Sequence, residues 1–466
     1  MSQKLTIAIA GATGFIGKAL REKLQGKYHV VALSRSLRTG SPDMTWRQCD
    51  LYSLESCVKA LKGVDKVVYL VHSMMPSARL TQARFEDLDL ILADNFARAC
   101  KENGIDHAIY VGGLDPETPD TSVHLHSRME VEQVLDKWIS NVTALRAGLV
   151  IGEGGSSFDI LYRVAHRLPV LLCPKWMRSK LQPIALEDVL HIILHVLSMP
   201  NPPTGCHDIG GPEIMTYRSL LEKSIQLLGL KRILINIPLS VTKLSSLGVG
   251  VITGTSQSLV YPLIQSLKHD MITKNTSLQD SCLETMKNFE EAFLSAIPKE
   301  QVSQKRKGFS VTRFQTIKKV SSVRSIQRMQ LPKDKDAIWV AEEYIRWLPK
   351  AFGLIVQTEK MEGLCRMYLR GSKYLLLELR FLPEQSNADL SRYAISGGLL
   401  LRGGQENKGT FEFRVVLDQK VVLAAIHDFY PSLPWYIYTF SQAKVHLLVM
   451  QSFCRHINKI SNEQSQ

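Results

Sequence analysis

The chain of 466 residues has no CxxC pair, few aromatics at 8% of residues, and no charge-free apolar run that makes a convincing membrane span. Its eight cysteines (49, 57, 100, 173, 206, 282, 365 and 454) are scattered. That argues against a zinc site or a disulfide framework and fits a reducing, cytoplasmic compartment. Residues 244–267 carry no charge, but they are rich in Gly, Ser, Thr and Gln and are broken by Pro262. They read as a membrane-surface contact or a lipid-lined pocket rather than a span. Gln3-Lys4 leads straight into a strand, so no signal peptide is expected. There is no internal repeat, no low-complexity tract and no nucleic-acid motif, which argues against a nucleic-acid partner.

Acidic residues are also short, leaving a formal charge of +13. Between Lys299 and Lys335 the net charge is +9. That segment reads as a solvated linker between domains, and the alternative is a patch for an anionic lipid surface.

The most informative stretch is Ile7-Ala8-Ile9-Ala10-Gly11-Ala12-Thr13-Gly14-Phe15-Ile16-Gly17. It is an apolar strand running into a GxxGxxG turn and then an amphipathic helix. Gly11 permits the turn, Gly14 lets a pyrophosphate approach the backbone, and Gly17 lets the helix pack close to the sheet. The helix N-terminus then offers N–H groups and a positive dipole end to the anion. The next strand ends in Ser34-Arg35-Ser36, with no acidic residue until Asp43. An acid there would hold the ribose 2′-OH of NAD; a hydroxyl and a guanidinium suit a 2′-phosphate instead. NADP(H) is therefore expected in preference to NAD(H), the alternative being that Arg35 is a solvated strand-end charge. Asp50 is placed to meet an adenine amine or to cap the following helix.

Strands are predicted near 5–10, 28–34, 45–48, 66–71, 107–112 and 142–146. Helices are predicted near 15–25, 53–62, 84–103 and 126–139. The alternation makes an α/β doubly wound parallel sheet. Residues 151–295, rich in proline, read as an irregular substrate-side lobe. After about 320 a strand (325–331), a helix (335–348), six alternating segments (353–358, 364–370, 373–382, 392–402, 409–417 and 420–428) and a helix from about 434 to 460 make an α+β module. The expected domains are 1–295, a basic linker 296–322, and 323–466.

These residues resemble the short-chain dehydrogenase/reductase (SDR) family of the atypical or extended type. The likeness rests on Gly11–Gly17, Asp50-Leu51, Tyr69–Met74, Leu145-Arg146-Ala147-Gly148 and Pro183–Val189. Val71-His72-Ser73-Met74, Lys175–Ser179 and Leu267-Lys268-His269-Asp270 resemble SDR proteins fused to a C-terminal DUF2867 domain. That domain is similar to the helix-grip (START-like, SRPBCC) lipid-binding folds. The chain also resembles the SDR-like accessory subunit of respiratory complex I, which binds NADPH without turnover. The resemblance puts Gly11, Thr13, Gly14, Phe15, Ile16 and Gly17 on the pyrophosphate. It puts Ser34 and Arg35 on the 2′-phosphate, Asp50 and Leu51 on the adenine, Val71 and His72 beside the nicotinamide ribose, and Ala147–Val150 near the nicotinamide.

The family's Ser, Tyr and Lys are all absent. Gly112-Gly113 stands where the Ser is expected, and His124 and Arg128 align with Tyr-x-x-x-Lys, just before a helix beginning at Met129. His124 can act as a general acid, and Arg128 can hold a ribose hydroxyl but not relay a proton. The alternative is that His124 and His126 are ordinary polar residues at a helix start. Glu187-Asp188 reads as a helix cap, and His191 and His195 as packing residues, with no metal site. The expected protein is an NADP(H)-binding atypical SDR acting as an oxidoreductase on an apolar quinone, isoprenoid or lipid, peripheral to the inner face of a membrane. The alternative is a non-catalytic NADPH-binding accessory or redox-sensing protein.

Overall fold

The computed structural model describes residues 4–72, 78–118, 121–238, 265–282, 284–297, 320–401 and 409–464. The uncharged stretch from 244 to 264 and most of the basic linker lie outside the described residues. So do the side chains of Trp435 and Tyr436. In chain order the first elements are β1 (Thr6–Ala10), α1 (Phe15–Leu24), β2 (His29–Ser34), β3 (Met44–Gln48), α2 (Leu54–Ala60), β4 (Lys66–Tyr69), β5 (Ala78–Gln82), α3 (Phe85–Glu102), β6 (His107–Gly113), α4 (Val123–Trp138) and β7 (Asn141–Ala147). There follow β8 (Val150–Ile151), α5 (Ser156–Arg167), β9 (Val170–Cys173), β10 (Lys180–Leu181), β11 (Ile184–Ala185), α6 (Leu186–Ser198), β12 (Gly205–Ile209), β13 (Met215–Thr216), α7 (Tyr217–Leu227), β14 (Ile233–Asn236), α8 (Ser277–Cys282) and α9 (Phe289–Ala296). The last are β15 (Val320–Gln330), α10 (Ala337–Ala351), β16 (Val356–Met361), β17 (Leu364–Leu369), β18 (Leu375–Phe381), β19 (Leu390–Gly397), β20 (Thr410–Val416), β21 (Val421–Phe429), α11 (Trp435–Phe440) and α12 (Gln442–Glu463).

The chain divides into two compact units, 1–74 with 89–312, and 75–88 with 313–466. In the first unit a seven-stranded sheet runs β12-β7-β6-β4-β1-β2-β3. Every pairing in it is parallel. Strands covered on both faces read as continuous apolar runs. In β1, Ile7, Ala8, Ile9 and Ala10 are all fully buried. Strand order reverses between β1 and β4, which opens a crevice at the carboxyl ends of these strands. The prolines of 151–295 do not leave an irregular lobe. Helix α5 ends just before Pro169, α6 and α7 form between the later prolines, and β12 closes the edge of the main sheet.

The second unit is a sheet in the order β16-β17-β18-β19-β20-β21-β15-β5. Its pairings are antiparallel except that β5 joins β15 in parallel. The strand β5 comes from residues between β4 and α3, where the sequence predicts none. Arg328 of β15 bonds Asp87 at 2.6 Å, and the Gln327 amide donates to the Gln82 carbonyl at 3.1 Å. Alternation along β20 sends Phe411, Phe413 and Val415 into a core with Tyr344, Trp347 and Phe453 from α10 and α12. The opposite face carries a buried ion group. Glu412 accepts from Arg414 at 2.8 Å and Arg392 at 2.9 Å, with His427 at 3.3 Å. Burial alone would raise the Glu412 carboxyl, but Arg414, His427 and Arg392 hold it well below its ordinary range.

Phe453 is fully buried, with the Tyr344 ring 5.1 Å and the Trp347 ring 5.2 Å away. Phe453→Ala is expected to destabilise this unit by about 3–5 kcal/mol. Urea unfolding checks this; a loss below about 1 kcal/mol contradicts the assigned core.

Candidate functional site

The glycine turn is built by close packing. Gly11 has φ +84°, and a Cβ there would lie 2.9 Å from the Leu70 carbonyl oxygen. A Cβ on Gly17 would collide with the Gly11 carbonyl oxygen, so only glycine lets α1 settle this close to the turn. The Gly14 N–H bonds the Gly11 carbonyl at 2.9 Å, and Arg21 Nε reaches back to the Ala12 carbonyl at 2.8 Å. Thr13 and Gly14 remain exposed. No side chain caps α1, and no acidic residue lies in its first turn. The first-turn N–H groups and the dipole end are thus presented to an anion. Phe15 packs over the backbone of Gly152 and Gly155, tying the turn to the segment after β8. A pyrophosphate fits this cradle.

At the end of β2, Ser34 is half-buried and Arg35 is exposed. Ser34 Oγ accepts from the Ser36 N–H at 3.3 Å. Arg38 and Arg21 both lie over the ring of Trp46 on β3, their guanidinium carbons 5.2 and 4.8 Å from its centre. Asp50 does not cap α2. Ser53 does, accepting from Ser56 N at 3.2 Å, while Asp50 Oδ1 accepts from Tyr52 N at 3.2 Å. The Leu51 carbonyl is held by the buried Asn95 of α3 at 2.9 Å, an anchor that no motif marks.

At the other end of the crevice, β4 gives way to Val71 and His72. His72 Nδ1 lies 2.5 Å from Asp89 Oδ2, which fixes the ring. Asp89 is a second residue without a sequence signal: acidic residues on a long helix suggest a solvated face, but this one is buried. Ser122 caps α4 by accepting from Leu125 N at 3.3 Å, so the helix starts at Val123 rather than at Met129. His124 and Arg128 therefore lie within the helix, one turn apart, rather than before it. The His124 ring centre is 4.9 Å from that of His72. At Gly113, where the family's Ser would stand, a Cβ would lie 3.3 Å from Leu125 and 3.8 Å from Arg128.

Electrostatics decide what this group can do. Burial, then the charges of Arg128 and His72, push the His124 pKa well below the ordinary 6.5. Burial and Arg128 also lower His72, against the pull of Asp89. Both shifts favour the neutral rings, most strongly at His124. Tyr110 is fully buried, donates to the Arg128 carbonyl at 3.3 Å, and has its phenol pushed up to about 12 by burial. That makes it a weaker acid than an ordinary tyrosine.

The other motif residues are structural. Arg146 pairs with Glu132 at 2.8 Å, locking α4 to β7. Ser179 Oγ donates to the Lys268 carbonyl at 3.0 Å and Lys180 N to Asp270 Oδ1 at 2.7 Å, so two separate sequence motifs hold each other. Asp188 does not cap α6. It lies in the first turn and accepts from Lys287 N at 3.1 Å. His191 is exposed and His195 half-buried. Among the described residues no group of three His, Cys, Asp or Glu can hold a metal ion.

Residues 11–144 match the family model described as NAD(P)H-binding. Over that stretch the first unit resembles NAD(P)H-binding domains, and its fold is Rossmann-like. The auxiliary protein GraX of Staphylococcus aureus is 38% identical over 120 residues, 25% of this chain and 39% of that protein. The matched stretch thus spans about two fifths of that relative's length. Among solved structures, a nucleoside-diphosphate-sugar epimerase from Staphylococcus aureus aligns with a TM-score of 0.50 at 15% identity, over 62% of this chain and 100% of its own. The Citrobacter sp. triphenylmethane reductase complexed with NADP(H) aligns with a TM-score of 0.50 at 16% identity, again over 62% and 100%. These likenesses show the fold. The match does not extend to a DUF2867 or SRPBCC assignment for the second unit. Among the described residues no helix is long and apolar enough to cross a membrane.

The lowered His124 pKa has a measurable consequence. Below about pH 6.5 the unfolded chain binds the His124 proton while the folded chain does not, so stability falls as pH drops through that window. His124→Asn should flatten the fall in melting temperature between pH 7 and pH 5. An unchanged slope would contradict the neutral, buried ring.

Proposed function

We propose that the first unit binds NADP(H) in preference to NAD(H) and passes hydride to an apolar acceptor without a protein-borne proton donor. The hydride-transfer reading is supported by the buried His124 one turn from Arg128, beside the Asp89-held His72, and the cofactor preference by the exposed Arg35 after β2 with no acidic residue before Asp43. Bound NADPH would supply the hydride. Gly11, Thr13, Gly14, Phe15, Ile16 and Gly17 would hold its pyrophosphate, Ser34 and Arg35 its 2′-phosphate, Asp50 and Leu51 its adenine, and Val71 and His72 its nicotinamide ribose. Arg128 brings a permanent positive charge, and a neutral His124 offers an N–H. Together they stabilise negative charge on an acceptor oxygen, as preorganised donors do in a site shielded from water. Hydride transfer leaves the acceptor as an anion, which takes its proton from bulk water once it is released. That chemistry suits a quinone or another conjugated isoprenoid or lipid carbonyl, and it does not suit a simple ketone that needs acid catalysis.

The second unit runs strand, helix, antiparallel sheet and long helix, the order of a helix-grip domain. It would sequester the apolar acceptor. A second reading is favoured by the likeness to a protein named as auxiliary. In it NADPH is bound as a signal and not turned over.

NADPH oxidation with a soluble naphthoquinone tests the proposal. His124→Ala should lower kcat about tenfold or more, and His124→Gln, which keeps an N–H, should recover most of it. The wild-type kcat should show no histidine limb between pH 5 and 8. A limb that vanishes in His124→Ala would make His124 an acid and overturn the mechanism. Tight NADPH binding with no turnover on any quinone or lipid carbonyl would favour the signalling reading.

A further inference from the structure

The first unit carries a small parallel sheet that the cofactor site does not use. Strands β9 and β14 pair with Val170 opposite Ile233 and Leu172 opposite Ile235. Their partners in the alternation, Leu171 and Cys173, face inward onto Ala165, Leu221 and Ile225. The outer face therefore presents four branched aliphatic side chains side by side. Val170 is 41% exposed, Leu172 60%, Ile233 61% and Ile235 46%.

The stretches of chain that carry this face are basic. Residues 160–186 and 223–269 together contain ten Lys and Arg and no Asp or Glu. Arg167 and Lys175 flank β9 in the chain and Lys231 precedes β14; all three are exposed. Arg232 is pinned beside them, donating to the carbonyls of His166 at 2.7 Å and Ala165 at 3.1 Å. Glu222, just outside these stretches, is paired with Arg218 at 2.8 Å.

We infer that the outer face of β9 and β14 docks on an anionic lipid surface. The aliphatic quartet enters the headgroup boundary while the cations meet lipid phosphates. A protein partner fits less well. The face has no exposed aromatic anchor among its four side chains, and a stable protein interface buries about 800 Å² on each side. A bilayer has no such threshold, because apolar insertion and charge attraction add.

Flotation of the full chain with phosphatidylcholine vesicles, with and without phosphatidylglycerol, tests this. Binding should require phosphatidylglycerol and be lost at high salt. The Leu172→Asp/Ile235→Asp double variant should bind at least about tenfold more weakly with an unchanged melting temperature, since both side chains are exposed. Lys175→Glu/Lys231→Glu tests the charge arm separately, and it decides the matter if the aspartate variant does not fold. No flotation, equal flotation with neutral vesicles, or full binding by both double variants would overturn the inference; the last would move the contact to the basic segment 299–335. So would a self-association of the wild type that Leu172→Asp/Ile235→Asp abolishes with no change in flotation.

Discussion

The contact between Gly17 and the Gly11 carbonyl governs the first unit. A single methyl group at Gly17 would collide with that oxygen, so α1 would be pushed off the sheet. With glycine there, α1 lies against the turn and its uncapped N-terminus faces the crevice where strand order reverses. Arg21 and Phe15 then use the position of α1. One ties the helix back to Ala12, and the other carries the turn to Gly152 and Gly155. Loss of this one approach would remove the anion cradle and the support of the segment beyond β8 together.

Around His72 and His124 burial, rather than residue identity, is in control. A histidine in the place of a catalytic tyrosine reads, on paper, as a substitute acid. In the fold the ring is surrounded, and Arg128 stands one turn away, so the protonated form is disfavoured twice. The same guanidinium that could steady an oxyanion therefore prevents its neighbour from being an acid. The proposed chemistry follows from this: the site would stabilise charge rather than deliver a proton.

Much of the architecture was legible in the chain. Continuous apolar runs such as Ile7–Ala10 marked the buried parallel strands, and period-two alternation such as Phe411, Phe413 and Val415 marked the second sheet. The glycine turn was legible because each glycine answers a steric demand. What stayed hidden depended on contacts distant in sequence. Nothing in Ala78–Gln82 announces a strand, because its pairing partner β15 begins at Val320. Asp89 and Asn95 look like the polar face of α3 until His72 and Leu51 are placed against them. The start of α4 at Val123 is set by the Ser122 cap, whereas the apolar pattern becomes regular only further along the helix. Proline between 169 and 238 suggested irregularity, but the prolines fall between helices rather than in them.

Calorimetric titration of the full chain with NADPH and with NADH tests the central claim most directly. The account predicts NADPH binding at least about tenfold tighter than NADH, with Arg35→Ala erasing most of that difference, as expected for a charge-assisted contact to a 2′-phosphate. Equal affinity for the two nucleotides would contradict the role given to Ser34 and Arg35. Binding of neither would contradict the cofactor site itself.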